Sequence, residues 1–85
     1  MVFEQGQIEE ISEIITMLID EEDLSSKIET ALKAISVQIT PKLSVEGLLK
    51  VQDELEHVSN MNNLNEFCRT ELMNLVAQID SIVNS

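Results

Sequence analysis

Residues 18–39, LIDEEDLSSKIETALKAISVQI, decide the fold, because they read as the end of one helix, an acidic turn and a second helix. A related pattern returns later in the chain as residues 58–79, VSNMNNLNEFCRTELMNLVAQI. In both segments, apolar residues recur at the three- and four-residue spacing of an amphipathic helix on each side of a polar turn. The chain is therefore predicted to be all-α and to contain two similar helical hairpins.

The two hairpins correspond more closely in their apolar positions than in identical residues. Overlaying residues 8–40 on 48–80 pairs apolar side chains before and after the turn: Ile8/Leu48, Ile11/Val51, Ile15/Leu55, Leu18/Val58, Ile28/Cys68 and Ile35/Leu75. The turns also align, with Asp20 opposite Asn60 and Asp23 opposite Asn63. This agreement favours an internal duplication. Because a single hairpin buries its apolar face only against a neighbour, the two are predicted to stack.

Four helices are predicted within a single domain spanning residues 1–85. Hairpin 1 covers about residues 7–40 and hairpin 2 about residues 44–83, with helices over residues 7–20, 24–39, 44–58 and 64–83. Asp23 or Ser26 is predicted to cap the second helix and Ser44 the third, while Thr40-Pro41 ends the second. Short connections predict antiparallel neighbours, arranged either as a bundle or as a miniature solenoid. With Asp20 before its turn and Lys27 after it, hairpin 1 also resembles a HEAT-type repeat in architecture.

Composition narrows the classes of partner. The chain has 85 residues, 44% hydrophobic content and a net charge of −11 from 16 acidic and 5 basic residues. Nucleic acids and anionic membranes are bound by Lys and Arg clusters, so neither is expected as a partner, whereas a basic protein partner is compatible. One cysteine excludes an internal disulfide. No secretory signal and no membrane-spanning run is recognised, and a cytoplasmic location is expected.

The polar residues do not form a recognisable catalytic or metal-binding motif. The contiguous acids of residues 20–23 lack the spacing and central glycine of a calcium loop, and helix-capping acids are the simpler interpretation. Other carboxylates lie at polar helix positions, where water equalises environments that acid–base catalysis must separate. No metal, cofactor or catalytic residue is assigned, and the chain is not predicted to be an enzyme.

Three single residues have more specific predictions. His57 is expected on a helix surface, and Cys68 on the core side of its helix as a buried thiol. Arg69, the only arginine, is predicted to donate hydrogen bonds to carbonyls of the turn at residues 60–63, or alternatively to contact a partner.

Surplus apolar residues predict a contact surface. The apolar arc of helix 4 extends from Phe67 to Val76, Met73 lies beyond it, and Leu49 lies outside the apolar seam of helix 3. A four-helix monomer needs an apolar stripe somewhat over 100° wide on each helix. Leu49, Phe67, Met73 and Val76 are therefore predicted to form an interface, and a homodimer is expected from it. The alternative is that they cover a thin core.

Residues 56–80 also carry a family resemblance. The matching elements are Val58-Ser59, the NMNNL run of residues 60–64, Arg69-Thr70 and Leu75-Val76. They resemble the last third of an archaeal family of short, uncharacterised, all-helical proteins, and residues 20–34 resemble its first turn. The resemblance implies a two-hairpin cytoplasmic protein and no activity, cofactor or binding residue. This chain departs from the pattern at residues 24–29, LSSKIE, where prolines and a basic run are expected.

A protein-interaction or structural module is the function that the sequence favours, because amphipathic helices are present and no site motif is recognised. The first alternative is a ribosome- or nucleic-acid-associated factor, which the charge opposes. The second is a small ligand-binding protein or enzyme, which would need a pocket lined by converging polar residues.

Overall fold

A computed structural model of the chain describes residues 5–21, 24–40, 42–62 and 64–84. It contains four helices: α1 (Gln5–Ile19), α2 (Ser26–Ser36), α3 (Val45–Ser59) and α4 (Glu66–Val83). No strand occurs within the described ranges. The predicted all-helical class and its four helices are therefore confirmed for this part of the chain.

Each helix packs against the next one in the chain. The most extensive contact joins α3 and α4, while α2 lies between α1 and α3 and a smaller contact joins α1 to α4. The molecule measures 37 × 19 × 17 Å. Since a helix with its side chains is about 10 Å thick, each short dimension accommodates about two helices. The stacking of two duplicated hairpins stays a prediction beyond this arrangement.

The core consists of the predicted apolar seams. Its fully buried side chains are aliphatic apart from Cys68, and they come from all four helices: Ile11, Ile15, Leu18, Ile28, Leu32, Leu48, Val51, Leu55, Leu72, Leu75 and Ile79. Side chains at the edges of the seams, such as Ile14, Leu24 and Ala31, are partly buried against this core. Phe67, at the edge of the predicted apolar arc of α4, has half of its surface exposed.

Three helices begin at a polar cap of the same kind. The side chains of Ser25, Ser44 and Asn65 accept hydrogen bonds from the backbone N–H three residues later, at 3.3, 3.0 and 2.8 Å. Each bond satisfies one of the N–H groups that a helix start leaves free. The prediction for Ser44 is confirmed. The prediction for Ser26 is wrong, because Ser25 has the extended backbone of a cap and Ser26 is already helical. Asp23 lies outside the described residues.

Helix ends depart from the predicted boundaries by a few residues. α1 begins at Gln5 rather than Gln7, and Ile8 in its first turn is buried. α2 ends at Ser36 rather than at residue 39. After Ser36 the chain forms a tighter turn, in which the Gln38 N–H donates to the Ile35 carbonyl three residues earlier at 3.0 Å. α4 begins at Glu66 rather than at residue 64, since Asn65 is its cap.

Candidate functional site

A groove of about 560 Å³ lies between α2 and α3. Its lining combines residues of α2 with residues of α3 and the turn that follows: Ala31, Ala34, Ile35, Asp53, Glu54, Glu56, His57, Val58, Asn60 and Met61. Ala31 and Ala34 stand one turn apart, and their small side chains leave open the space that larger residues would fill. These residues form the α2–α3 groove.

The floor of the α2–α3 groove is apolar. Ile35 and Val58 belong to the buried core, and Ala31 and Met61 are partly buried beside it. Methionine is flexible and polarizable, so Met61 can adjust to apolar surfaces of different shape. Because Ile35 and Val58 are almost fully covered, the apolar surface that a partner could contact comes mainly from Ala31, Ala34 and Met61.

The rim of the groove is acidic. Asp53 and Glu56 are exposed and Glu54 is half-buried, all on α3. Glu54 Oε2 accepts a hydrogen bond of 2.9 Å from Gln38 Nε2, and the same amide donates to the Ala34 carbonyl at 3.3 Å. This bridge fixes one carboxylate at the edge of the groove. Within the described ranges, no ion pair neutralises these three carboxylates.

The charge of the groove is uneven along its length. Lys27 lies at the end away from the carboxylates, where it lines a smaller concavity of about 240 Å³ with the turn residues Asn60 and Asn62. Lys33 is engaged elsewhere, in an ion pair of 2.8 Å with Glu29. Negative charge is therefore concentrated at one end of the groove, and the other end carries the positive charge of a single lysine.

Arg69 holds the turn between α3 and α4. Its Nη1 donates to the Ser59 carbonyl at 2.7 Å, and its Nη2 donates to the carbonyls of Met61 and Leu64 at 3.3 and 3.4 Å. The positive guanidinium also lies at the C-terminal end of α3, where free carbonyls carry partial negative charge. The predicted role of Arg69 in anchoring this turn is confirmed.

Cys68 is a buried structural thiol, as predicted, with 0% of its surface exposed. Burial raises the pKa of the thiol, and the negative charge of Glu21 raises it further. A reactive cysteine needs the thiolate form and access to solvent, and this environment disfavours both.

The remaining polar candidates are dispersed. His57 is exposed on α3, and Asp20 is exposed after α1. Glu22 and Asp23 of the acidic turn lie outside the described residues. Among the residues that the structure describes, no cluster of His, Cys, Asp and Glu has the arrangement of a metal site.

The four residues of the predicted interface do not meet in one patch. Met73 is 60% exposed and lies with Val76 in a concavity of about 210 Å³ between α3 and α4. Leu49 is 43% exposed on α3. Phe67 stands about 180° around α4 from Val76, since a helix turns about 100° per residue. The structure thus brings Met73 and Val76 together and leaves Phe67 on the opposite flank.

Sequence reasoning did not identify the α2–α3 groove. The carboxylates of its rim have the pattern of a solvated helix face, and no sequence feature distinguishes Ala34. The available signal was the pair of small residues one turn apart on α2, at the positions that face α3. That signal becomes informative only when the neighbouring helix is known.

Comparisons with protein-family models, with curated protein sequences and with solved structures find no match to this chain. The family resemblance of residues 56–80 therefore stays a prediction. Within the described residues, no helix has both the length and the apolar character needed to cross a bilayer.

Proposed function

We propose that this chain is a protein-interaction module that binds a partner protein in the α2–α3 groove. The observation that carries the proposal is the groove itself, a concavity of about 560 Å³ between two helices in which Ala31, Ala34 and Met61 present apolar surface. Grooves between helices commonly accept an amphipathic segment of a partner. Exposed apolar surface with a polar rim is typical of an interaction site.

The side chains of the groove favour binding over chemistry. Asp53 and Glu56 are exposed carboxylates in similar aqueous surroundings, and the nearby His57 is exposed as well. Acid–base catalysis uses groups whose environments differ. The buried Cys68 does not line the groove. These features support recognition of a partner surface rather than transformation of a substrate.

The proposal is tested by retention of proteins from an extract of the native cell on immobilised chain. Ala34→Arg places a large charged side chain in the groove. Ala77→Arg makes the same change at an exposed site on α4 and is the matched control. Both substitutions suit a helix, because Arg is a good helix former. Circular dichroism establishes that both variants keep their helix content.

The expected result is a protein retained by the wild-type chain and by Ala77→Arg and lost with Ala34→Arg. Equal retention by all three forms would reject the groove as the binding surface. Retention of no protein above the level of a blank matrix would reject the interaction module.

The finer architecture, a duplicated pair of stacked hairpins, is a second part of the proposal. It is supported by the matched caps Ser25 and Asn65, which accept hydrogen bonds from Ile28 and Cys68 at corresponding positions. If stacking stabilises the hairpins, fragments 1–40 and 42–85 should each be largely unfolded alone and regain helix on mixing. A fragment with full helix content on its own would contradict stacking as the source of stability.

A further inference from the structure

We infer that the partner segment in the α2–α3 groove is a basic amphipathic helix, with Lys or Arg side chains beside its apolar stripe. This inference depends on the proposed function and names the chemistry of the partner. It is carried by the shape of the groove and by the charge of its rim.

The groove has the dimensions of a helix-binding site. Its α3 side extends from Asp53 to Val58, about 7.5 Å at a rise of about 1.5 Å per residue, and Asn60 and Met61 of the following turn lengthen it, so that it can contact one to two turns of a partner helix. Ala31 and Ala34 permit close approach, as helices pack about 8–10 Å apart. No strand edge is present in the described ranges to pair with an extended peptide. A partner helix would place apolar anchors at positions i, i+3 or i+4, and i+7.

The rim selects for positive charge. Asp53, Glu54 and Glu56 lie within one turn of α3, and the described structure pairs none of them with a cation. The hydrogen bond from Gln38 holds the Glu54 carboxylate in place before binding. Lysine and arginine can lay their apolar stems along the floor while their charged ends reach such a rim. Complementary charge of this kind gives orientation and specificity.

Other occupants fit the groove less well. A second copy of this chain carries a net charge of −11, and its five basic residues are dispersed along the sequence. RNA and anionic membranes would be repelled by the same carboxylates. Lys27, at the far end, places the basic part of a partner helix toward Asp53 and Glu54 rather than toward the turn.

The test uses three synthetic peptides of about 18 residues, each titrated into isotopically labelled protein by NMR at low salt. The first has a leucine stripe at helical spacing flanked by lysines. The second keeps the stripe and replaces each lysine by glutamine. The third keeps the lysines and scrambles the leucines. The first is expected to shift the amides of Ala31, Ala34 and Met61 and to bind roughly tenfold more tightly than the other two.

A matched pair of double variants locates the charge effect. Asp53→Asn with Glu56→Gln removes two exposed rim carboxylates three positions apart. Glu10→Gln with Glu13→Gln removes two exposed carboxylates at the same spacing on α1, which does not line the groove. The groove variant is expected to weaken binding of the lysine peptide by roughly threefold to tenfold, and the α1 variant by less than about twofold.

Each contrary result has a distinct meaning. Equal weakening by both double variants would overturn the inference in favour of overall charge attraction. Equal binding of the glutamine peptide, or of the scrambled peptide, would overturn the basic amphipathic class. If none of the peptides shifts the groove while Ala34→Arg still abolishes retention of the cellular partner, the inference fails and the proposed function stands. If Ala34→Arg leaves retention unchanged, the proposed function itself fails.

Discussion

Arg69→Met should be one of the most destabilising substitutions outside the aliphatic core. Methionine keeps an unbranched stem and good helix propensity and removes the guanidinium. Three hydrogen bonds to the carbonyls of Ser59, Met61 and Leu64 are lost with it. A hydrogen bond from a charged group contributes about 1.5–3 kcal/mol net, and the 2.7 Å bond to Ser59 is assigned a value in this range. The two longer bonds add less, so the expected loss is about 2–4 kcal/mol.

Urea unfolding followed by circular dichroism measures this loss, since the chain has no Trp or Tyr to report by fluorescence. Proteins unfold with a slope of about 1–3 kcal/mol per molar urea, and the low end suits a small domain. The midpoint should therefore fall by roughly 2–4 M. Total stability is expected to be roughly 4–13 kcal/mol at 0.05–0.15 kcal/mol per residue, so at the low end of this range part of the variant population is unfolded in buffer.

Two control variants separate the stability contributed by the guanidinium hydrogen bonds from that contributed by the positive charge. Lys33→Met makes a similar change in size and charge at an exposed ion pair and should lose about 0.3–0.5 kcal/mol. Arg69→Lys keeps the charge and loses the planar fork, so its stability should be intermediate. If Arg69→Met were as stable as Lys33→Met, water would be replacing the guanidinium bonds and the assigned role in stability would be refuted.

Four further predictions concern the core, the charge, the thiol and self-association. Leu72→Ala should cost about 2–5 kcal/mol in urea unfolding, because Leu72 is fully buried, and a loss under about 1 kcal/mol would contradict this. The melting temperature should rise between about 10 and 300 mM salt, because every charged side chain in residues 1–23 is acidic and salt screens their repulsion. A melting temperature that does not change with salt would show that charge repulsion does not limit stability. The raised pKa of Cys68 means that the folded state keeps a proton that the unfolded state releases, so stability should decline above about pH 8.5. Cys68→Val should lessen that decline, and identical pH profiles in urea unfolding would argue against it. The predicted homodimer should be disrupted by Met73→Glu and not by Phe67→Glu in sedimentation equilibrium, and a wild-type chain of monomer mass throughout would reject self-association.

The buried positions could be predicted from sequence because they depend on a regular period. Leu48, Val51 and Leu55 repeat with the turn of the helix, and burial follows whichever helix they meet. The cap of α2 was harder, since residues 23–26 offer three polar candidates close together. Alternative caps differ by about 1 kcal/mol or less, so neighbouring contacts decide among them.

Sequence distance explains the contrast between Arg69 and the groove. Arg69 is five to ten residues from the three carbonyls it binds, so a short turn brings them together whatever the rest of the fold does. The groove depends on which flank of α2 faces α3, as in the bond between Gln38 and Glu54. Periodicity defines the inward side of each helix and does not define its neighbours.

The buried thiol of Cys68 can report local opening of the fold. Because Cys68 is shielded in the closed fold, a thiol reagent reacts with it only during the moments when the first turn of α4 separates from its neighbours. Where closing is faster than reaction, the labelling rate equals the rate for an exposed thiol multiplied by the open fraction. The open fraction obtained from labelling can be compared with the unfolded fraction obtained from urea unfolding. A larger open fraction would show that this end of α4 opens independently of the remaining helices. A bound partner would slow the labelling only if groove occupancy and that opening are coupled.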